Sequence, residues 1–181
     1  MIYMYKEATT LATLVESETL SKHDVLLIEN ELKERGNIVV FGQVGMGKTT
    51  ILEAIIRAKI ELHPDNRYCY IPVYKEKDFS EGSLIVTLSQ SDSSISSQAR
   101  VALKMGADTI FIDEVRTHQD VLAVEFLMRT GKQVIFTTHA ATLSSLIEKL
   151  KTLLLAYEGD DADKIFGSIV DNLELIIHAQ R

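Results

Sequence analysis

Asn37-Ile-Val-Val-Phe-Gly42-Gln-Val-Gly45-Met-Gly47-Lys48-Thr49-Thr50 is the stretch that decides the fold. Residues 37–41 form an unbroken, largely β-branched run, as expected of a strand buried on both faces. Gly42 to Gly47 interrupt it, and from Lys48 to about Leu62 the apolar residues return at helical spacing: Ile51, Leu52, Ala54, Ile55, Ile56, Ala58 and Ile60. The interruption matches the Gly-x-x-x-x-Gly-Lys-Thr phosphate-binding pattern, and it lies between a strand and a helix, as that pattern requires. Glycines let successive amides point into one concavity. The helix after the loop adds its positive N-terminal end. Lys48 supplies a point charge for β- and γ-phosphates, and the Thr49 hydroxyl suits Mg²⁺. The nucleotide-binding set is therefore Gly42, Gly45, Met46, Gly47, Lys48, Thr49 and Thr50. The side chains of Gln43 and Met46 fall at variable positions of the pattern and receive no role.

Working outward, residues 24–35 place Val25, Leu26, Ile28 and Leu32 on one helical face, with Gly36 as the stop. Pro64 ends the helix after the glycine loop. Strands are expected at 68–73, 84–88, 109–113, 133–137 and 173–177. Helices are expected at about 97–105, 117–129 and 141–155, with another start at 161–166 and loops at 89–97 and 159–163. Solid apolar strands alternating with helices indicate an α/β fold, a mostly parallel sheet with helices on both faces. Residues 1–23 read as an N-terminal linker segment and 24–181 as one P-loop domain.

The strand Thr109-Ile-Phe-Ile ends in Asp113-Glu114. Ligands of open α/β sheets bind at the carboxyl ends of strands. Asp113 is thereby placed to hold Mg²⁺ through water, beside Thr49. Glu114 is the candidate general base for an attacking water. Thr137-Thr138-His139 follows the next buried run, where a polar group can reach a γ-phosphate. A solvated acidic pair and a structural histidine are the plainer readings; the complete glycine loop nearby weighs against the first.

Composition narrows the classes. The 181 residues carry a formal net charge of −7, with 46% hydrophobic and 25% charged residues, the balance of a folded globular domain. An acidic surface disfavours a face that grips nucleic acid. The single cysteine, Cys69, rules out a disulfide framework and reads as a small buried hydrophobe. The five histidines lack metal-ligand spacing. No apolar run approaches the ~20 residues that span a bilayer, and the N-terminus is no signal peptide. We expect a cytoplasmic location, with membrane contact only through partners at the inner face.

Taken together, these residues resemble the secretion ATPase superfamily of type II and type IV secretion systems and type IV pilus motors. Gly106-Ala-Asp108-Thr-Ile-Phe-Ile-Asp-Glu114-Val-Arg116 is similar to its Walker B region, and Arg100-Val-Ala-Leu103-Lys104 to its basic helix. Thr130-Gly131 with Val134-Ile-Phe-Thr137-Thr-His139-Ala140 resembles its histidine box. Phe166-Gly-Ser-Ile-Val-Asp171 and Thr10-Leu11-Ala-Thr-Leu14-Val15 resemble flanking segments. The resemblance implies a RecA-like motor domain using ATP and Mg²⁺, a homo-oligomeric and usually hexameric ring, and membrane-associated secretion or pilus components as partners. It implies Glu114 as the catalytic glutamate, His139 as the histidine-box residue and Arg116 as a charge near the subunit interface or the phosphates, with Lys48 completing the catalytic set. The sequence departs from the family in four ways. Asp113 replaces a common glycine. Pro72 and Val73 stand at expected acidic positions near 71–77, leaving Glu76. Lys132 replaces a common histidine. Only about 36 residues precede the first core strand, so the family's N-terminal domain is expected to be absent. Two other readings stay open: an ATP-dependent assembly module with negligible turnover, and a nucleic-acid motor or loader of the RecA or AAA+ type.

Overall fold

A computed structural model describes residues 9–72, 85–88 and 94–180. Val73 and Glu76 of the expected acidic segment and residues 89–93 of the expected serine-rich loop lie outside them.

The elements run in order: α1 Leu11–Glu16, α2 Lys22–Glu34, β1 Ile38–Gly42, α3 Lys48–Leu62, β2 Tyr68–Ile71, β3 Ile85–Thr87, α4 Ile95–Lys104, β4 Thr109–Val115, α5 His118–Arg129, β5 Gln133–His139, α6 Leu143–Glu158, α7 Ala162–Asp171 and β6 Leu175–His178. A 3₁₀ turn at Gly159–Asp161 joins α6 to α7. Helix starts fall where side chains can satisfy open amides. Ser21 with Asp24, Thr117 with Asp120, and Thr142 with Ser145 form capping boxes. The C-terminus of α2 departs from expectation. The left-handed residue is Arg35, at φ 64°, and Gly36 only continues the turn. On α2, Ile28 and Leu32 are buried, whereas Leu26 is 63% exposed and outside the apolar face.

All strand pairs in the sheet are parallel, in the order β3-β2-β4-β5-β1-β6. Alternation along each strand sends side chains to opposite faces. Ile38, Val40, Phe111 and Ile135 pack with α1, α2 and α3. Val39, Phe41, Ile110, Ile112, Val134 and Phe136 pack with α4, α5, α6 and α7. Helices thus cover both faces. Cys69 is fully buried in the second of these layers, and burial pushes its thiol up to about 12.

The strand order brings distant segments together. β5 lies between β1 and β4, pairing with both. The glycine loop after β1 and the acidic end of β4 therefore flank the end of β5.

Candidate functional site

The loop after β1 is shaped by two left-handed glycines, Gly45 at φ 80° and Gly47 at φ 81°, and a Cβ at either would meet nothing within 4 Å. Open space beside both glycines leaves a cradle rather than a collapsed turn. Gly47 caps α3 without any side-chain hydrogen bond, so the first amides of that helix stay available to an anion. Gly42 serves another purpose: a Cβ there would lie 2.5 Å from the Ala179 carbonyl oxygen. Its missing side chain lets the chain after β6 lie against β1.

The acidic end of β4 carries an irregularity. Ile112 pairs with Phe136 and Val115 with Thr138, so three steps on β4 match two on β5. This is a β-bulge, and within it Glu114 adopts φ 70°. Left-handed backbone is uncommon for a non-glycine residue and strained. Thr137 supports it: its Oγ1 accepts from the Glu114 amide at 2.8 Å and donates to Asp113 Oδ1 at 3.1 Å. Sequence pattern ends the strand at Asp113, with the two carboxylates at its carboxyl end; the structure extends β4 to Val115 and sets them in the bulge.

The residues meet in one row. Lys48 Nζ donates to the Gln43 carbonyl and to His139 Nδ1, each at 2.9 Å. His139 Nε2 lies 2.6 Å from Glu114 Oε1, and Arg116 Nη2 lies 2.5 Å from Glu114 Oε2. An ammonium can only donate, so Nδ1 accepts, the imidazole proton sits on Nε2, and Nε2 donates to Glu114. Thr49 Oγ1 donates to Asp113 Oδ1 at 3.2 Å.

Burial sets the charges. Desolvation lowers the Lys48 ammonium below its usual value against the pull of Glu114 and Asp113. Asp113 is raised, chiefly by burial, although hydroxyls of Thr137 and Thr49 donate to it. For Glu114 burial acts upward, but the Arg116 hydrogen bond and the neighbouring His139, Arg116 and Lys48 leave it below the usual carboxylate range.

These groups line an open cleft of about 530 Å³, together with Val44, Gly45, Gly47, Thr50 and Thr137. Gly42 is not among its lining residues, and Met46 packs instead against the core beneath α3. Arg116 and His139 are brought to Glu114 directly. Thr137 stands in a motif legible only as able to reach a phosphate; its support of the bulge depends on strand register, which no local pattern shows. Asp120 Oδ2 accepts from the amides of Arg116 and Thr117 at 3.0 and 2.8 Å, and its place three residues after Thr117 was the available signal.

The residues fit Mg²⁺ and a polyphosphate. The Thr49 hydroxyl and the Asp113 carboxylate, 3.2 Å apart, are oxygen donors of the kind Mg²⁺ takes, the carboxylate through a water. The open glycine cradle and uncapped α3 suit the phosphates.

A profile of the family described as Type II/IV secretion system protein matches residues 3–181. The conjugal transfer protein TrbB of Rhizobium radiobacter is 22% identical over 167 residues, covering 92% of this chain and 51% of TrbB. Among solved structures, the VirB11 ATPase of the Brucella suis type IV secretion system aligns at TM-score 0.76 with 20% identity, over 92% of this chain and 48% of that one. The Legionella pneumophila ATPase DotB aligns at TM-score 0.77 with 20% identity, over 93% and 45%. The fold is accordingly of the RecA-like P-loop type. The chain spans about half the length of the relatives it matches.

Proposed function

The chain belongs to the Type II/IV secretion system protein family, and from that premise we propose that it is an Mg²⁺-dependent ATP-hydrolysing motor domain powering macromolecular secretion, conjugation or pilus-like assembly. The observation that carries the reading is the row Lys48–His139–Glu114–Arg116 lining one cleft with the open glycine loop. Residues 24–181 make the P-loop domain. Residues 1–23 lead into it, and α1 packs on its core.

Bound Mg·ATP would supply an electrophilic γ-phosphoryl group. The loop amides of Gly45 to Thr50 and Lys48 Nζ bind the phosphates. Thr49 Oγ1 would hold the cation, and the Asp113 carboxylate would hold it through water. Glu114, kept ionised by its neighbours, orients a water and takes its proton at a carboxylate oxygen. Each of its oxygens has a second lone pair beyond those used by His139 and Arg116. His139 lies between Lys48 and Glu114, so a phosphate that draws Lys48 away is felt at the base. Arg116, 46% exposed at its side chain, can also reach charge at the cleft's rim.

The names of the relatives, conjugal transfer protein and type IV secretion system protein, support membrane-associated partners. A homo-oligomeric, hexameric ring at the cytoplasmic face of the membrane completes the proposal. Among the described residues no helix is long and apolar enough to cross a membrane.

Steady-state hydrolysis by the assembled protein tests the reading. Glu114→Gln removes the proton acceptor and leaves the phosphate contacts. It should keep nucleotide affinity and lose turnover by about 10²–10⁴-fold. Turnover equal to the parent would move the base elsewhere.

A further inference from the structure

Behind the row of cleft residues stands another cation, Lys149. It lies on the second turn of α6 and is half-buried, and desolvation lowers its ammonium although Glu114 pulls it upward. Its Nζ donates to Thr138 Oγ1 at 2.8 Å and to the His139 carbonyl at 3.1 Å, and lies 3.5 Å from the Val115 carbonyl. Thr138 Oγ1 in turn donates to that same Val115 carbonyl at 2.7 Å. Three oxygens from the ends of two adjacent strands thus converge on one ammonium, which has three protons to give.

The place is a weak point of the sheet. The ladder between β4 and β5 breaks between Ile112 and Val115, and Glu114 occupies the break in left-handed backbone. The ladder resumes at Val115 and Thr138, but backbone groups at and beside a bulge lose regular pairing and need other support. Thr137 holds the bulge from one side, through the Glu114 amide. We propose that Lys149 is a positioning residue that holds it from the other: it ties the end of β4 to the end of β5 and so fixes Glu114 and His139 at their 2.6 Å contact. Lys149 does not line the cleft; it acts through the strand ends. The catalytic part of this inference rests on the reading of Glu114 as the base; the structural part does not.

Three variants of the assembled protein decide it. Lys149→Met keeps the stem and removes the donors, Lys149→Arg keeps charge and donors, and Glu114→Gln reports on the base. Residue-resolved amide hydrogen exchange is measured on each, with nucleotide affinity and turnover. For Lys149→Met we expect exchange at Glu114, Thr138 and His139 to rise at least tenfold while amides of β1 and α3 keep theirs. Turnover should fall ten- to a hundredfold with nucleotide affinity within twofold of the parent, and Lys149→Arg should restore most of both. Unchanged exchange at the strand ends overturns the brace, whatever Glu114→Gln does. So does a rise spread evenly through the core, the mark of a merely structural lysine. Localised loosening with full turnover, while Glu114→Gln is inactive, overturns the positioning role. If Glu114→Gln stays active, the base reading falls alone, and the exchange pattern still decides the brace.

Discussion

At the scale of single residues, the site shows how strain and protonation are set by neighbours. Glu114 stays in left-handed backbone because the Thr137 hydroxyl takes its amide. His139 has a defined tautomer because Lys48 can only donate to it. A second buried lysine, away from the cleft, makes a test of charge burial. Lys59 is fully buried, and its Nζ donates to the Leu32 carbonyl in the last turn of α2. Burial, with Arg35 beside it, lowers its ammonium to about 8. The unfolded chain keeps that proton up to about 10.4. Between those values the unfolded state binds more protons, so this lysine's contribution to stability rises with pH. Below pH 8 its burial cost is fully present. Cys69 and Tyr68, both raised by burial, act in the opposite direction, so the comparison must be a difference. Urea unfolding of the parent and Lys59→Met from about pH 7.5 to 10 should show the parent gaining relative to the variant. A constant difference would mean that Lys59 keeps its ordinary proton affinity in the fold.

At the scale of elements, β1 joins the edge strand β6 to the rest of the sheet. It pairs with β5 on one side and β6 on the other, and the Ala179 amide closes onto the Phe41 carbonyl at 2.7 Å. Gly42 permits that approach, since an added methyl would meet backbone rather than a movable side chain. Gly42→Ala should therefore destabilise the fold by about 1–3 kcal/mol through overpacking, read as a lower midpoint in urea. Exchange should quicken first at Ala179 and β6. Parent-like stability would show that the chain after β6 yields without cost.

At the scale of the whole molecule, ligand binding and stability are linked. A nucleotide that binds only the folded state, held at a hundred times its dissociation constant, stabilises by about 2.7 kcal/mol. For a chain of this size that corresponds to a melting temperature raised by roughly 5–10 °C. We expect Mg·ATP to produce such a shift in a thermal melt, and Lys48→Ala to reduce or abolish it. An equal shift in that variant would contradict the phosphate role of Lys48.

The glycine loop and its surroundings differ in how far they can be read without the fold. Apart from α1, a helix in the stretch read as a linker, the order of strands and helices, the glycine loop and the acidic strand were legible because each rests on local chemistry. Periodicity reports which faces are buried, glycine spacing reports backbone freedom, and a short polar residue before an apolar run reports a helix start. Element ends were less so: α4 starts at Ile95 and β4 runs to Val115, since capping and strand pairing decide the last residues. What only tertiary structure decided is the insertion of β5 between β1 and β4, and with it the row from Lys48 to Arg116. The bulge at Glu114 and the reach of Lys149 across two strand ends belong there too. The physical reason is separation along the chain. Lys48 and His139 are 91 residues apart yet bonded, and no local pattern encodes which strand will lie beside which.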